Sequence, residues 1–314
     1  MGQFRYILQP YNGIKTKYQC PKCDKKGVFV RYIDITTNEH LSPIVGRCDR
    51  EINCGYHYKP KQYFYDNKID SKSIRHSEPI QLNRVIKSPK ASSYVSSEIF
   101  KQSLRNYEEN NFIKFLVRLF DIQITNQLIA QYFIATSKHW NGATVFWQID
   151  SLGKIRSGKI MLYNSETGKR IKEPFPHITW VHKALNYNDF NLEQCLFGEH
   201  LLKNDQIKPV ALVESEKTAV LASVYLPQFI WLAIGGMYNL NVEKCRILKG
   251  RTVVLFPDLN GFNKWESKVK GLSHLGKFII SDLLEKKAFD NEKQQGLDLA
   301  DYLLKFNYKD FRLS

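Results

Sequence analysis

In the last third of the chain, short apolar runs alternate with segments that have the period of a helix. Apolar, β-branched runs of this length are typical of buried parallel strands. The predicted strands are 210–213, 229–234, 253–256 and 277–281, and the predicted helices are 216–225, 240–248 and 262–275. Because strands and helices alternate, we predict an α/β domain around a four-stranded parallel sheet with helices on both faces.

Acidic residues follow two of these strands. Glu214 comes directly after the first strand, and Asp258 and Asn260 follow the third. The carboxyl ends of parallel strands meet at one edge of a sheet, where oxygen ligands suit Mg²⁺ or Mn²⁺. The alternative is that both acids only cap the helices that follow them.

The middle of the chain combines helices with alternating strands. An apolar stripe predicts a helix around 112–119, and a further helix is predicted at 126–133. From 143 the pattern alternates, which predicts a β-meander with strands at 144–150, at 154–163 and from Lys169 onward. Residues 66–95 contain few large apolar side chains and are predicted to be a linker.

Four cysteines near the N-terminus form two groups, Cys20 with Cys23 and Cys48 with Cys54. The Cys-x-x-Cys spacing lets two thiolates reach one ion, and an alternating segment at 27–35 separates the groups, as in a zinc ribbon that holds structural Zn²⁺. His57 is an alternative to Cys54 as the fourth ligand. A disulfide pair is less favoured, because the N-terminus lacks the pattern of a secretory signal.

Charge indicates a polyanionic partner. The chain carries 46 Lys and Arg against 31 Asp and Glu, a net charge of +15. Residues 1–90 hold 17 Lys and Arg and 8 Asp and Glu, which is +9 of the total. Lys59, Lys61 and Tyr63 lie in an aromatic and basic run typical of single-stranded nucleic-acid binding. The alternative is a solvated basic surface above a small aromatic core.

Four segments together resemble successive motifs of the Toprim family, which includes primases, topoisomerases and nucleases. They are Val213–Ala219, Gly235-Gly236, Asp258–Gly261 and Leu297–Leu303. The resemblance implies that Glu214 and Asp258 hold catalytic Mg²⁺ or Mn²⁺. Asn260 stands where the family usually has a second Asp, and Ser215 where it usually has Gly. We therefore expect Asn260 to be a weaker third ligand.

The order of zinc ribbon, helical and β segment, and Toprim domain resembles a primase core. This resemblance implies that Arg156 and Lys159 on the basic strand contact template or primer phosphates, and Lys217 is a further candidate contact. More narrowly, the chain resembles small zinc-and-Toprim proteins of mobile elements in Bacteroidetes-type bacteria, which implies the bacterial cytoplasm. No apolar stretch approaches the length of a membrane span. No P-loop sequence is present, so any helicase or replication initiator would be a separate protein.

The predicted organisation is a nucleic-acid-binding zinc ribbon at 1–65, a linker at 66–95, a primase-core-like segment at 96–206 and a Toprim domain at 207–314. The leading hypothesis is a DNA primase that binds single-stranded DNA and joins nucleoside triphosphates. A Toprim nuclease would use the same metal. A DNA-binding accessory protein with a degenerate site is the third hypothesis, which Asn260 favours.

Overall fold

The computed structural model describes residues 5–50, 54–69 and 91–311, and the chain divides into two compact units at 1–87 and 88–314. The first unit is built on a four-stranded antiparallel sheet in the order β1-β2-β3-β4. Its elements are β1 (Tyr6–Leu8), β2 (Phe29–Asp34), β3 (Gly46–Cys48), β4 (His57–Tyr58) and α1 (Pro60–Asp66). Its small core groups Phe29 with three buried cysteines.

The predicted linker is only partly visible, because residues 70–90 lie outside the described part of the chain. At its start, Asp66 ends α1. At its end, Val95 is buried and its N–H donates to the Ile155 carbonyl at 2.9 Å. Residues 91–95 therefore belong to the second unit and not to a free linker.

The second unit begins with helices that pack on a four-stranded antiparallel sheet in the order β5-β6-β7-β8. The elements are α2 (Ser97–Ser103), α3 (Asn111–Phe120), α4 (Ile122–Tyr132), β5 (Ala135–Ser137), β6 (Ala143–Ile149), β7 (Ile155–Met161), β8 (Ile178–Trp180) and α5 (Val181–Ala184). The fully buried Asn110 caps α3 through its side-chain oxygen, which also accepts a hydrogen bond from Thr144 on β6.

The meander differs from the prediction in its third strand. The segment from Lys169 makes only one isolated bridge, between Tyr163 and Arg170, and the strand that pairs with β7 is Ile178–Trp180. Pro174 and Pro176 lie between these segments, and proline cannot donate to a strand ladder. The third strand therefore starts after the prolines.

The rest of the second unit is a mixed α/β arrangement around a parallel sheet in the order β10-β9-β11-β12. Its elements are β9 (Val210–Val213), α6 (Glu216–Tyr225), β10 (Ile230–Ala233), α7 (Val242–Cys245), β11 (Thr252–Leu255), α8 (Phe262–Val269), β12 (Lys277–Ile280), α9 (Leu283–Lys287), α10 (Asp290–Gln295) and α11 (Leu299–Leu303). This confirms the predicted four-stranded parallel sheet. Across the described residues, no helix has the length and apolar character needed to cross a membrane.

Candidate metal centres and binding surfaces

The four predicted zinc ligands converge in the first unit. Cys20, Cys23, Cys48 and Cys54 have sulfur atoms that all lie within 4.8 Å of one another, with Cys20 Sγ 3.7 Å from Cys54 Sγ and Cys23 Sγ 4.0 Å from Cys48 Sγ. Zn–S bonds of about 2.3 Å in a tetrahedron separate sulfurs by about 3.8 Å, whereas a disulfide bond is about 2.05 Å long. The cluster therefore fits structural Zn²⁺.

The surroundings of the thiols also suit a cation. A backbone N–H of Lys25 donates to Cys23 and lowers its pKa to about 6, which favours the thiolate. Burial raises the pKa of Cys48 and Cys54, so their thiolates need a positive ion beside them. The alternative ligand His57 instead shares a hydrogen bond of 2.9 Å with the Tyr32 hydroxyl and stacks on its ring.

Two of the predicted nucleic-acid contacts lie on a groove of the first unit. Lys59 and Lys61 line it together with rings and aliphatic side chains from β1 and α1, and the groove measures about 970 Å³. Its lining residues are Arg5, Tyr6, Ile7, Leu8, Tyr32, Lys59, Pro60, Lys61, Phe64, Tyr65, Lys68 and Ile69. No carboxylate lines the groove in the described residues, although Arg5 is paired with Asp34 nearby.

Tyr63, the third predicted contact, does not line this groove. Its ring packs on edge against Tyr58 and Phe64, with centroids 6.0 and 5.8 Å away. Tyr65, two positions along, is 84% exposed and does line the groove. Tyr65 of α1 therefore lines the groove in place of Tyr63. The sequence run alone could not distinguish these two tyrosines.

In the second unit, the structure brings together the two predicted metal-binding carboxylates. Glu214 follows β9 and Asp258 follows the neighbouring strand β11, and the N–H of Asp258 donates to Glu214 Oε1 at 3.4 Å. A side chain at Gly261 would place its Cβ 2.9 Å from the same oxygen. Glycine at this position therefore leaves room for the Glu214 carboxylate.

Both carboxyl groups are held where their charge is unfavourable without a cation. Burial raises the pKa of Glu214 to about 7. Burial, together with the negative charges of Glu214, Asp298 and Asp301, raises the pKa of Asp258 to about 9, and the Lys217 ammonium opposes this shift. A divalent cation beside the pair would offset the cost of burying both charges and would reduce the repulsion between Asp258 and its acidic neighbours.

Asn260, the predicted third ligand, is not brought to this pair. It has a left-handed φ of 69°, it is exposed, and its side-chain amide donates to the Lys293 carbonyl. The Gly261 N–H donates to the Asp258 carbonyl at 2.8 Å, which closes a tight turn with Asn260 at the position that requires positive φ. Asn tolerates this conformation better than most residues, so local backbone geometry explains the residue found here.

Three other acids, Glu216, Asp298 and Asp301, line the same cleft of about 540 Å³. Asp298 caps α11: its Oδ1 accepts from the Asp301 N–H at 3.0 Å, and its Oδ2 accepts from the Thr218 hydroxyl at 2.7 Å. Asp301 Oδ2 accepts from the Asp298 N–H in return. These hydrogen bonds fix Asp298 at the edge of the cleft.

The carboxylates do not converge as the thiols do. Within the described part of the chain, the four cysteines are the only set of three or more Cys, His, Asp or Glu ligand atoms that lie within 4.8 Å of one another. Mg²⁺ is commonly held by only one or two carboxylates and completes its shell with water and substrate phosphate. Glu214 and Asp258 fit such an open site.

Cations also line this cleft. Lys217, a candidate phosphate contact, lies on α6, and Lys169, Arg170 and Lys172 come from the segment between β7 and β8. In the part of the chain that the structure describes, the side chains of these four residues form no ion pair or hydrogen bond. The cleft thus combines unpaired cations with a carboxylate pair.

The predicted phosphate contacts on β7 are instead paired with acids. Lys159 is almost fully buried and its Nζ lies 2.9 and 3.1 Å from the two carboxylate oxygens of Glu216. Arg156 binds Asp150 at 2.7 Å and Glu193 at 3.0 Å. Sequence reasoning did not single out Lys169, Arg170 and Lys172, although three cations within four positions after a turn are a denser basic signal than Arg156 and Lys159.

Comparisons with known proteins add two family matches. A family described as "Domain of unknown function (DUF6371)" matches residues 110–259, and a family described as a zinc beta-ribbon finger matches residues 4–69. The second match confirms the predicted zinc ribbon. No curated protein matches the chain.

Several solved primase structures are similar to the chain. They include the zinc-binding and RNA polymerase domains of the Aquifex aeolicus primase, with 13% identity, a TM-score of 0.40 and coverage of 94% of this chain and 77% of that one. The primase fragment of the bacteriophage T7 primase-helicase protein has 14% identity, a TM-score of 0.37 and coverage of 89% and 98%. The RNA polymerase domain of Mycobacterium tuberculosis primase DnaG has 13% identity, a TM-score of 0.36 and coverage of 65% and 65%.

Proposed function

We propose that the chain is a DNA primase-like protein of a bacterial mobile element, and that its parallel sheet is a Toprim domain with a site for nucleotidyl transfer. The observation that carries the proposal is the pair of carboxylates Glu214 and Asp258 at the ends of adjacent parallel strands. Burial raises the pKa of both carboxyl groups, so a cation beside them would stabilise their charged forms. Such groups in a cleft are typical of functional sites.

The two kinds of charge in the cleft suit a metal-bound triphosphate. A bound Mg²⁺ or Mn²⁺ would neutralise the charge that develops on phosphate oxygens during transfer. Glu214 and Asp258 would hold the ion, while Lys217 and the basic segment 169–172 would bind phosphate oxygens. Asp298 would keep the wall of the cleft negative beside them.

The zinc ribbon would supply the binding surface for single-stranded DNA. Its groove offers the rings of Tyr6, Phe64 and Tyr65 for base stacking, and Lys59, Lys61 and Lys68 for phosphates. The partners of the chain would then be single-stranded DNA, nucleoside triphosphates and a separate helicase or replication initiator. We further propose that this activity takes place in the bacterial cytoplasm, as the resemblance to mobile-element proteins implies.

A DNA-binding accessory role is the second candidate, and two observations favour it. Asn260 turns away from the carboxylate pair, and no three carboxylates in the described residues converge on one point. A site with two acidic ligands and no third would bind metal weakly. Under this alternative the ribbon binds DNA and the cleft performs no chemistry.

The test is to incubate the full chain with single-stranded DNA, labelled nucleoside triphosphates and Mg²⁺ or Mn²⁺. We expect labelled primers from the native protein and none from Glu214→Gln or Asp258→Asn, with DNA binding unchanged in both variants. DNA cleavage instead of synthesis would support a nuclease. Binding without synthesis or cleavage in any of the three proteins would contradict the enzymatic proposal and support the accessory role.

The binding surface is tested separately by salt dependence. Lys59→Ala with Lys61→Ala should lower affinity for single-stranded DNA and reduce the slope of log affinity against log salt by about 1.4 units, since two phosphate contacts are lost. Lys26→Ala is the matched control, because Lys26 is an exposed lysine of the same unit that does not line the groove. An equal loss in the control would place DNA binding outside the groove.

A further inference from the structure

A second pocket of the second unit lies on the other face of the antiparallel sheet from the carboxylate cleft. It measures about 450 Å³ and shares no lining residue with that cleft. Ile160 lines the pocket whereas its neighbour Lys159 lines the cleft, as expected when successive side chains of a strand point to opposite faces. The pocket therefore is a separate candidate site.

The floor of this pocket is apolar and formed by buried side chains. Val145, Ile160 and Val181 line it, and each is less than 10% exposed. The edge of Trp147 completes the floor, with its indole N–H donating to the Ser103 hydroxyl at 3.0 Å. A preformed apolar surface of this kind suits the body of a small organic ligand.

The mouth of the pocket is cationic. Arg105, Lys138 and His139 line it, and no Asp or Glu does. In the described part of the chain the side chains of Arg105 and Lys138 make no ion pair or hydrogen bond. A ligand with an anionic group would therefore be attracted to this end, and two cations that line one pocket suit a phosphate.

Two amide side chains add hydrogen-bonding capacity between floor and mouth. Gln102 and Asn106 both line the pocket. Within the described residues, the side-chain amide of neither residue forms a hydrogen bond. Each amide offers a donor and an acceptor, the combination that reads the edge of a nucleobase. A fatty acid would leave these amides unused, and an inorganic anion would leave the apolar floor uncovered.

We propose that this pocket binds a nucleoside phosphate, with the base on the floor beside Gln102 and Asn106 and the phosphate at Arg105 and Lys138. Its volume lies within the range of small-ligand pockets, about 300–1,000 Å³. The site is independent of the proposed nucleotidyl transfer, because it uses neither Glu214 nor Asp258. A nucleotide bound in this pocket would contact one face of the antiparallel sheet, whose other face borders the cleft. Free nucleotide would in this way act on the sheet that the two sites share.

The test is calorimetric titration of the full chain with AMP, adenosine and inorganic phosphate in buffer without divalent metal. We expect AMP to bind at least about tenfold more tightly than adenosine or phosphate, because only AMP uses both ends of the pocket. Arg105→Ala with Lys138→Ala should weaken AMP at least about tenfold. Lys101→Ala is the matched control, since Lys101 is exposed on the same helix as Gln102 but does not line the pocket.

A cleft variant separates this proposal from the proposed function. Glu214→Gln with Asp258→Asn should leave metal-free AMP binding unchanged, whether or not the chain synthesises primers. The proposal is overturned if AMP binds no better than phosphate, if the Arg105 and Lys138 double variant binds AMP normally, or if the cleft variant abolishes AMP binding.

Discussion

The zinc cluster and the carboxylate cleft both assemble acidic side chains for a cation, but they do so to different degrees. Four thiols lie within 4.8 Å of one another, whereas the cleft joins only Glu214 and Asp258 through one backbone N–H. A closed set of four soft ligands suits an ion that holds a fold together. An open pair suits an ion that must also accept water or substrate.

The difference also appears in how each region forms a core. The described part of the first unit buries few large apolar side chains, and its buried cluster consists mainly of the metal-binding cysteines around Phe29. The second unit buries a continuous core that includes Trp231, Trp265 and Phe112 without any metal ligand. We therefore expect metal to determine stability in the first unit and chemistry in the second.

The largest expected effect is loss of zinc. Cys20→Ser with Cys23→Ser should unfold roughly the first sixty residues, because structural zinc contributes on the order of 10 kcal/mol to small domains. Amide hydrogen exchange should show lost protection in the first unit and normal protection in the second. Cys195→Ala is the control, since Cys195 is a cysteine of the second unit outside the cluster. Protein purified without chelator that contains no zinc would contradict the prediction.

The next largest effect concerns Glu216, a carboxylate of the cleft that is already paired with the Lys159 ammonium. Lys159→Met removes the partner of Glu216, which is 1% exposed, and should destabilise the second unit by about 3–5 kcal/mol because a buried charge is left unpaired. Chemical denaturation measures the change. The double variant with Glu216→Gln should recover most of the loss. A single variant as stable as the native protein would mean that the pair is not desolvated.

Neutralising a carboxylate that lacks a cation partner should stabilise the protein, which is the opposite of the effect expected for Lys159→Met. The pKa values of Glu214 and Asp258 are raised to about 7 and about 9, above those of the unfolded chain. The folded protein therefore binds more protons than the unfolded one between about pH 4 and pH 9, and stability falls as pH rises through that window. Asp258→Asn should stabilise the metal-free protein at pH 8 by about 1–3 kcal/mol.

Adding Mg²⁺ completes the test of whether the carboxylate pair destabilises the metal-free protein. The ion should raise the melting temperature of the native protein and not that of Asp258→Asn, because the native pair binds it. Glu266→Gln removes an exposed charge from α8 and serves as the control, with an expected change within about 0.5 kcal/mol. A destabilised Asp258→Asn protein would mean that the carboxylate has a cation partner in the folded state.

Sequence predicted best the features that depend on local signals. Helix α6 has the predicted bounds, Glu216–Tyr225, because Ser215 caps it and an apolar segment follows. Spacing predicted a zinc site at Cys20, Cys23 and Cys48, whereas the choice of Cys54 over His57 as the fourth ligand needed the structure. The ion pair of Lys159 could not be predicted, since its partner Glu216 lies 57 positions away and meets it only through packing of the two sheets. Likewise, the resemblance to the Toprim family implied that an acid is usual at position 260, but nothing in the sequence indicated that the backbone of Asn260 is left-handed.

The smallest expected effect separates backbone geometry from metal binding at Asn260. If the left-handed turn explains this residue, Asn260→Gly should be close to neutral, and Asn260→Ala should cost about 1 kcal/mol because alanine is strained at positive φ. Asn260→Asp should then leave Mg²⁺ affinity within about twofold of native, since the exposed side chain points to the Lys293 carbonyl. If Asn260 were instead a metal ligand, Asp would tighten Mg²⁺ binding and both Gly and Ala would weaken it equally. Mg²⁺ titration and denaturation of the three variants therefore distinguish two kinds of site. One is an open pair of carboxylates, and the other is a more complete set of ligands, closer to the arrangement of the zinc cluster.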